Sequence, residues 1–246
     1  MTGVKNQSTE EVNRLKKSKK NKKYALCFFP LLGVITGAVL YAFNMLCRKY
    51  GFDQSFFALI GAVLPVLMSG GIFLAGFMDT ADALLKARDR KEQSGNRIKE
   101  GTFGVVAMAA YFLLYAGALV LFRKNSQLLL LAIGYMVSRT LCVMALLWFP
   151  AGNQEEFSLS TLSKSQKGML RVIFSIILAL CFCTCFIISS IMGTLEILIA
   201  MWIWTYYYYM SKKSFGGVTK TSMGYFLTLC ELAIALFVGI FGLILP

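Results

Sequence analysis

Histidine is missing from all 246 residues. Its absence removes the commonest general base and the commonest transition-metal ligand. Acidic residues are scarce as well, 12 Asp and Glu against 25 Lys and Arg, for a formal net charge of +13. Only 15% of the chain is charged while 57% is hydrophobic, with a mean hydropathy of +0.66. That balance cannot clothe a water-soluble domain in polar groups. The seven cysteines imply no disulfide framework. Most sit in apolar runs, and Cys181, Cys183 and Cys185 follow an i, i+2 spacing that a helix turns to opposite faces, so they read as small apolar residues and not as metal ligands. There is no fixed-period repeat, no low-complexity linker and no inverted pair of interrupted helices, which weakens a secondary transporter. Chemistry is left to carboxylates, hydroxyls, cations and hard metals.

What the sequence does have is long apolar stretches. A bilayer core takes about 20 such residues per helix. Stretches of this kind run over about 24–46, 54–78, 103–122, 126–149, 170–190, 193–210 and 222–245. The fold class expected is therefore all-α, a polytopic membrane helix bundle of about seven spans. Residues 1–23 form a basic tail, disordered or interfacial, and 24–246 form the transmembrane domain. The second stretch is broken by Pro65 and Ser69-Gly70-Gly71, so it is a kinked span or a span followed by a second helix. The first is read as a retained span, since 23 apolar residues exceed a signal-peptide core and no small-residue cleavage pattern follows.

Cations set the expected orientation. Eight lie in the first 23 residues, six in the 79–100 loop, three in 150–171 and three in 211–221, against four (Arg48, Lys49, Arg123, Lys124) in the opposite connections. The N-terminus is placed in the cytoplasm and the protein in a cell membrane, multi-pass, such as the bacterial inner membrane. A basic tail at an anionic leaflet fits better than nucleic acid, because no aromatics are interleaved with the lysines. The run from Trp202 to Tyr209 then falls at the cytoplasmic interface, as an aromatic belt or as a stacking platform for a base.

Four stretches could carry chemistry. In Gly76-Phe77-Met78-Asp79-Thr80-Ala81-Asp82, the two aspartates share a helix face at i, i+3, with Lys86 a turn further on. They suit a Mg²⁺ ion that also takes substrate phosphates, or else they belong to a solvated charged helix. In Lys99-Glu100-Gly101-Thr102-Phe103-Gly104, the glycines Gly101 and Gly104 allow close approach of a phosphate or a helix, and Thr102 could simply cap the helix. In Ser214-Phe215-Gly216-Gly217-Val218-Thr219-Lys220, backbone amides at a helix entrance favour an anion, or the loop is only a helix stop. Arg139 and Glu231 are charges inside spans, which need a partner or a wet cavity, and a pair between the two is one way to meet that need. Glu196 lies near the outer end of a span, where water reaches more easily.

In this order, these stretches resemble the cobalamin synthases, the membrane enzymes also called adenosylcobinamide-GDP ribazoletransferases. The likeness runs from about Tyr24 to the C-terminus. It includes Tyr24 to Gly33, an acidic signature over Ser69 to Leu84 followed by Arg88-Asp89-Arg90, the G-T-F-G-V element at 101–105, Ser138-Arg139, and Gly216-Gly217-Val218-Thr219. The resemblance implies that a ribazole hydroxyl attacks the cobinamide phosphate of adenosylcobinamide-GDP and GMP departs. It implies Mg²⁺ on Asp79 and Asp82, with Arg139 and Glu231 in the catalytic set. Arg90, Lys99, Gly101, Thr102, Gly104, Gly216, Gly217 and Thr219 would contact substrate. Adenosylcobinamide-GDP and α-ribazole would be the substrates and lipid the surroundings, with no nucleic acid; a homo-oligomer or other corrinoid-pathway proteins stay open as partners. The chain departs from the family pattern at Phe73 (a histidine there), at Ala75, Arg97 and Thr221 (aspartates), at Lys220 (a glycine) and at Thr228 (a glutamate). Those departures leave two alternatives open: a weakened or inactive paralogue that binds a corrinoid or a partner protein, and a small-anion transporter using Arg139.

Overall fold

The computed structural model describes residues 28–92, 101–150, 152 and 163–244, and for 89–92 the backbone alone. The basic tail, Tyr24 to Cys27, Arg97, Lys99 and the Arg90 side chain lie outside these residues. Among the described residues the chain is helical, with no strands. The helices are α1 (Phe28–Tyr50), α2 (Gln54–Met68), α3 (Ile72–Glu92), α4 (Thr102–Val120), α5 (Asn125–Trp148), α6 (Lys164–Ile188), α7 (Ser190–Phe215) and α8 (Lys220–Ile244).

Five of them, α1, α4, α5, α6 and α8, are long and apolar enough to cross a bilayer, and the bent pair α2 and α3 makes a sixth. The remaining stretch of the seven expected, α7, falls outside this set. That helix has 26 residues, but Glu196 and the Trp and Tyr residues that follow dilute its hydropathy. It still runs antiparallel to α8, from Glu196 beside Gly134 and Ile234 to Tyr207 bonded with Ser222. Helix runs into the connections between spans: α3 continues through Glu92, α6 begins at Lys164, and α7 reaches Phe215.

The break in the second stretch follows from local chemistry. Gly70 and Gly71 both have positive φ (61° and 75°), a region that side chains with a Cβ avoid. The Gly71 N–H donates to Val66 O at 2.9 Å and the Gly70 N–H to Leu67 O at 3.0 Å. This is a Schellman closure that satisfies the last carbonyls of α2. The chain then turns 91° into α3.

Helix α5 is the axis of the bundle, with 78% of its apolar window buried, and α6, α7 and α8 pack around it. Backbones approach closely where glycines allow it. A methyl group on Gly76 of α3 would sit 2.8 Å from Thr221 O of α8, and one on Gly224 of α8 would sit 2.6 Å from Phe73 O. Small residues replace a hydrophobic driving force in lipid, where van der Waals contact must hold the helices together. Cys181 and Cys185 face inward and Cys183 outward, as their alternation requires.

The basic segments gather at one end of the bundle. Asp82 of α3 meets the start of α4, Pro150 and Gly152 pair with Val218 ahead of α8, and Arg171 donates to Leu147 O at 2.7 Å. At the opposite end Arg48 meets Arg123 O.

Candidate active site at the charged end

Helix α4 opens at Gly101, whose φ of 83° makes it the N-cap without a side-chain bond. Thr102 is therefore the first helical residue and not the cap. The missing cap comes from another helix. The Gly104 N–H donates to Asp82 Oδ1 at 2.9 Å. A carboxylate there satisfies an orphan donor and sits at the positive end of the helix dipole. Gly104 is required for this approach, since a Cβ would lie 2.8 Å from Asp82 Oδ2 and 2.9 Å from Met78 O. The acidic and G-T-F-G stretches, 22 residues apart at this bond, thus form one unit. Asp82 is half-buried, Asp79 is exposed one turn before it, and the Thr80 hydroxyl between them is buried with no hydrogen-bond partner among the described residues. Phe103 and Thr102 are exposed beside them.

Deeper in the bundle lies the pair of intramembrane charges. Arg139 Nη1 stands 2.7 Å from Glu231 Oε1, with only 2% and 7% of the side chains exposed. The same Nη1 donates to Tyr135 O at 3.0 Å, and the Phe73 and Tyr135 rings flank the guanidinium at 6.0 and 5.5 Å. Among the described residues Arg139 Nε has no hydrogen-bond partner. Tyr115 and Tyr135 share a hydroxyl hydrogen bond next to this pair. Phe73 lies six residues before Asp79, about 9 Å along a helix axis. The structure thus brings Arg139 to Glu231 and not to the aspartates.

The Gly216-Gly217 segment also meets the bundle at this end, but its amides are spent on the fold. The Gly217 N–H donates to Ser211 O at 3.1 Å and the Val218 N–H to Pro150 O at 2.9 Å. Thr219 and Ser222 cap each other: the Thr219 N–H donates to Ser222 Oγ at 3.0 Å and the Ser222 N–H to Thr219 Oγ1 at 3.2 Å. Gly216 is exposed, whereas Gly217 and Thr219 are buried.

Sequence reading missed the tyrosines Tyr111, Tyr115 and Tyr135. Their signal was present as polar rings inside apolar spans. It also misplaced Glu196, which is fully buried, with Oε1 unpartnered against Gly134 and Oε2 4.0 Å from Cys185 Sγ.

The fold and site define a polytopic helical membrane protein with an acidic helix docked on a glycine-bearing helix start and a buried charge pair beneath. The sequence profile of the cobalamin-5-phosphate synthase family matches residues 9–239, and the chain belongs to that family. It is 29% identical over 220 residues to the adenosylcobinamide-GDP ribazoletransferase of Lachnoclostridium phytofermentans, covering 89% of this chain and 84% of the relative. It is 28% identical to the enzyme of that name from Clostridium perfringens, over 89% and 88%. With the one from Halalkalibacterium halodurans it shares 25% identity, over 82% and 79%. No solved structure matches.

Proposed function

We propose that this chain is an adenosylcobinamide-GDP ribazoletransferase, working at the cytoplasmic face of the cell membrane in the assembly of cobalamin. The observation that carries the reading is the family match over nearly the whole chain, 9–239. In the reaction the hydroxyl oxygen of ribazole bonds to the phosphorus attached to cobinamide. The bond from that phosphorus to the bridging oxygen of the diphosphate breaks, GMP leaves with the bond's electrons, and the hydroxyl proton passes to solvent or buffer. Transfer of this kind needs positioning and charge neutralisation more than a protein nucleophile, which suits a chain without histidine.

Asp79 and Asp82 are the residues that would hold Mg²⁺. Among the described residues no group of three or more His, Cys, Asp or Glu gathers, so the protein alone makes no closed metal site. Two carboxylates one turn apart, one of them exposed, fit an ion that keeps its waters and takes its other ligands from substrate phosphates. When bound, the ion supplies neutralisation of the diphosphate charge. Arg90 and Lys99 are the cations assigned to the phosphates. Gly104 fixes where Asp82 points, and Gly101 and Thr102 leave the start of α4 open to substrate. Gly216, Gly217 and Thr219 hold the neighbouring wall in shape. Arg139 and Glu231 act as positioning residues: the pair joins α5 to α8 below the wall on which α3 rests.

The test is GMP release from adenosylcobinamide-GDP and α-ribazole by the full chain in vesicles. Release that requires Mg²⁺ and collapses in Asp79→Asn is expected. A folded protein that releases no GMP with both substrates and Mg²⁺ present would overturn the proposal. The bias of cations to one end supports a cytoplasmic setting for that end, and labelling of Ser214→Cys by an impermeant thiol reagent only after the cells are opened is the matching result for orientation.

A further inference from the structure

The four consecutive tyrosines of α7 divide their work. Tyr207 is buried, its hydroxyl paired with Ser222 Oγ at 3.0 Å. Tyr208 packs edge-on against Phe149 at 4.8 Å, with the Lys212 ammonium 5.8 Å from its ring centroid. Tyr206 and Tyr209 instead remain 43% and 66% exposed. They line a groove of about 430 Å³ between the C-terminal halves of α3 and α7, together with Arg88, Met210, Lys213 and Ser214. A volume of a few hundred Å³ is that of a small-molecule site.

Among the described residues the lining contains two cations and no carboxylate. Behind Tyr206 stands Tyr225, whose ring stacks on Phe77 of α3 at 5.4 Å and 13°. An exposed aromatic face takes the flat side of a heterocycle. Arginine, lysine and a hydroxyl beside it take phosphate oxygens through charge-assisted bonds. A belt of interfacial tyrosines needs neither a concave wall nor cations converging on it. Arg88 lies six residues beyond Asp82 on α3, about 9 Å along the axis, the scale on which a diphosphate could reach from one to the other.

We propose that this groove between α3 and α7 binds a purine nucleoside 5′-phosphate, the GMP half of the substrate, with its base on Tyr206 and Tyr209 and its phosphate on Arg88, Lys213 and Ser214. The choice of GMP rests on the transferase reading; the ring-plus-phosphate chemistry rests on the groove. The phosphate requirement could also be met by a lipid headgroup, which lacks the ring.

Equilibrium binding of GMP to the full chain in discs of neutral lipid tests this, with Lys213→Gln and Tyr209→Ala, both at exposed positions. The expected result is saturable binding that weakens about tenfold in each variant, the scale of one charge-assisted bond or one stacked base. Unfolding midpoints should be unchanged, and KM for adenosylcobinamide-GDP should rise. Inorganic phosphate should compete equally well with and without Tyr209, since it has no ring. Either variant read alone is sufficient if the other folds poorly. GMP affinity indifferent to the substitutions would overturn the groove while leaving any GMP release, and so the transferase, intact. Variant-sensitive GMP binding in a chain that releases no GMP would do the reverse. Loss of GMP binding in discs containing phosphatidylglycerol, with direct binding of that lipid, would reassign the groove to a headgroup.

Discussion

The centre of the bundle and its charged end treat ionised groups in opposite ways. At the centre, Arg139 and Glu231 are nearly sealed, bonded at 2.7 Å and flanked by rings. A charge at membrane depth is tolerated when it is paired or faces a wet cavity, and here it is paired. At the end, Asp79 and Lys213 are exposed, and Asp82 gives one oxygen to α4. The first region spends its charges on holding helices together; the second leaves charge for a ligand. Substitutions in the first should therefore be read in stability, and in the second in turnover.

The largest effect is expected from Glu231→Ala, which strands the Arg139 guanidinium without its counterion. The loss is about 3–5 kcal/mol, seen as a collapse of folded yield by size exclusion. The double change Arg139→Met with Glu231→Met should recover most of that yield, because an apolar pair leaves no buried charge. Next comes Asp79→Asn, where GMP release should fall about 10²–10³-fold, the scale of removing one electrostatic contact to the reacting groups, while the unfolding midpoint stays put. A midpoint that falls with it would move Asp79 into the structural region. Gly104→Ala sits on the boundary. Its methyl meets Asp82 Oδ2 and Met78 O, so a destabilisation of about 1–3 kcal/mol should accompany reduced turnover. The smallest effect is expected from Ser222→Ala, which removes one half of the α8 cap for about 1 kcal/mol, read as a lowered midpoint with GMP release maintained.

Much of the first region could be read from residues alone. Apolar runs of sufficient length located the spans, and the cost of isolated charge in lipid raised the pairing of Arg139 with Glu231. The clustering of cations located the end where the loops converge, because cation bias acts over whole connections and survives errors of a few residues at their ends. The stretch read as a span at 193–210 is a helix, α7, although Glu196 and its Trp and Tyr residues keep it out of the set that length and composition pick as spans. Glu196 was misplaced. Distance to a helix end measures exposure only if no neighbour covers it, and Cys185 and Gly134 do. The bond from Asp82 to Gly104 was not legible at all. A capping side chain is sought in the residues next to a helix start, and this one comes from a different helix. The amides of the Gly216-Gly217 turn likewise looked available for an anion until their partners, Ser211 O and Pro150 O, were known.

The division between the two regions is tested most directly by the Mg²⁺ concentration that gives half-maximal GMP release, compared between the wild-type chain and Asp82→Asn at equal folded protein. The expected result is a requirement raised about tenfold or more, the range found when a ligand or its support is lost. An unaltered Mg²⁺ requirement at wild-type turnover would contradict the placement of the chemistry at the junction of α3 and α4.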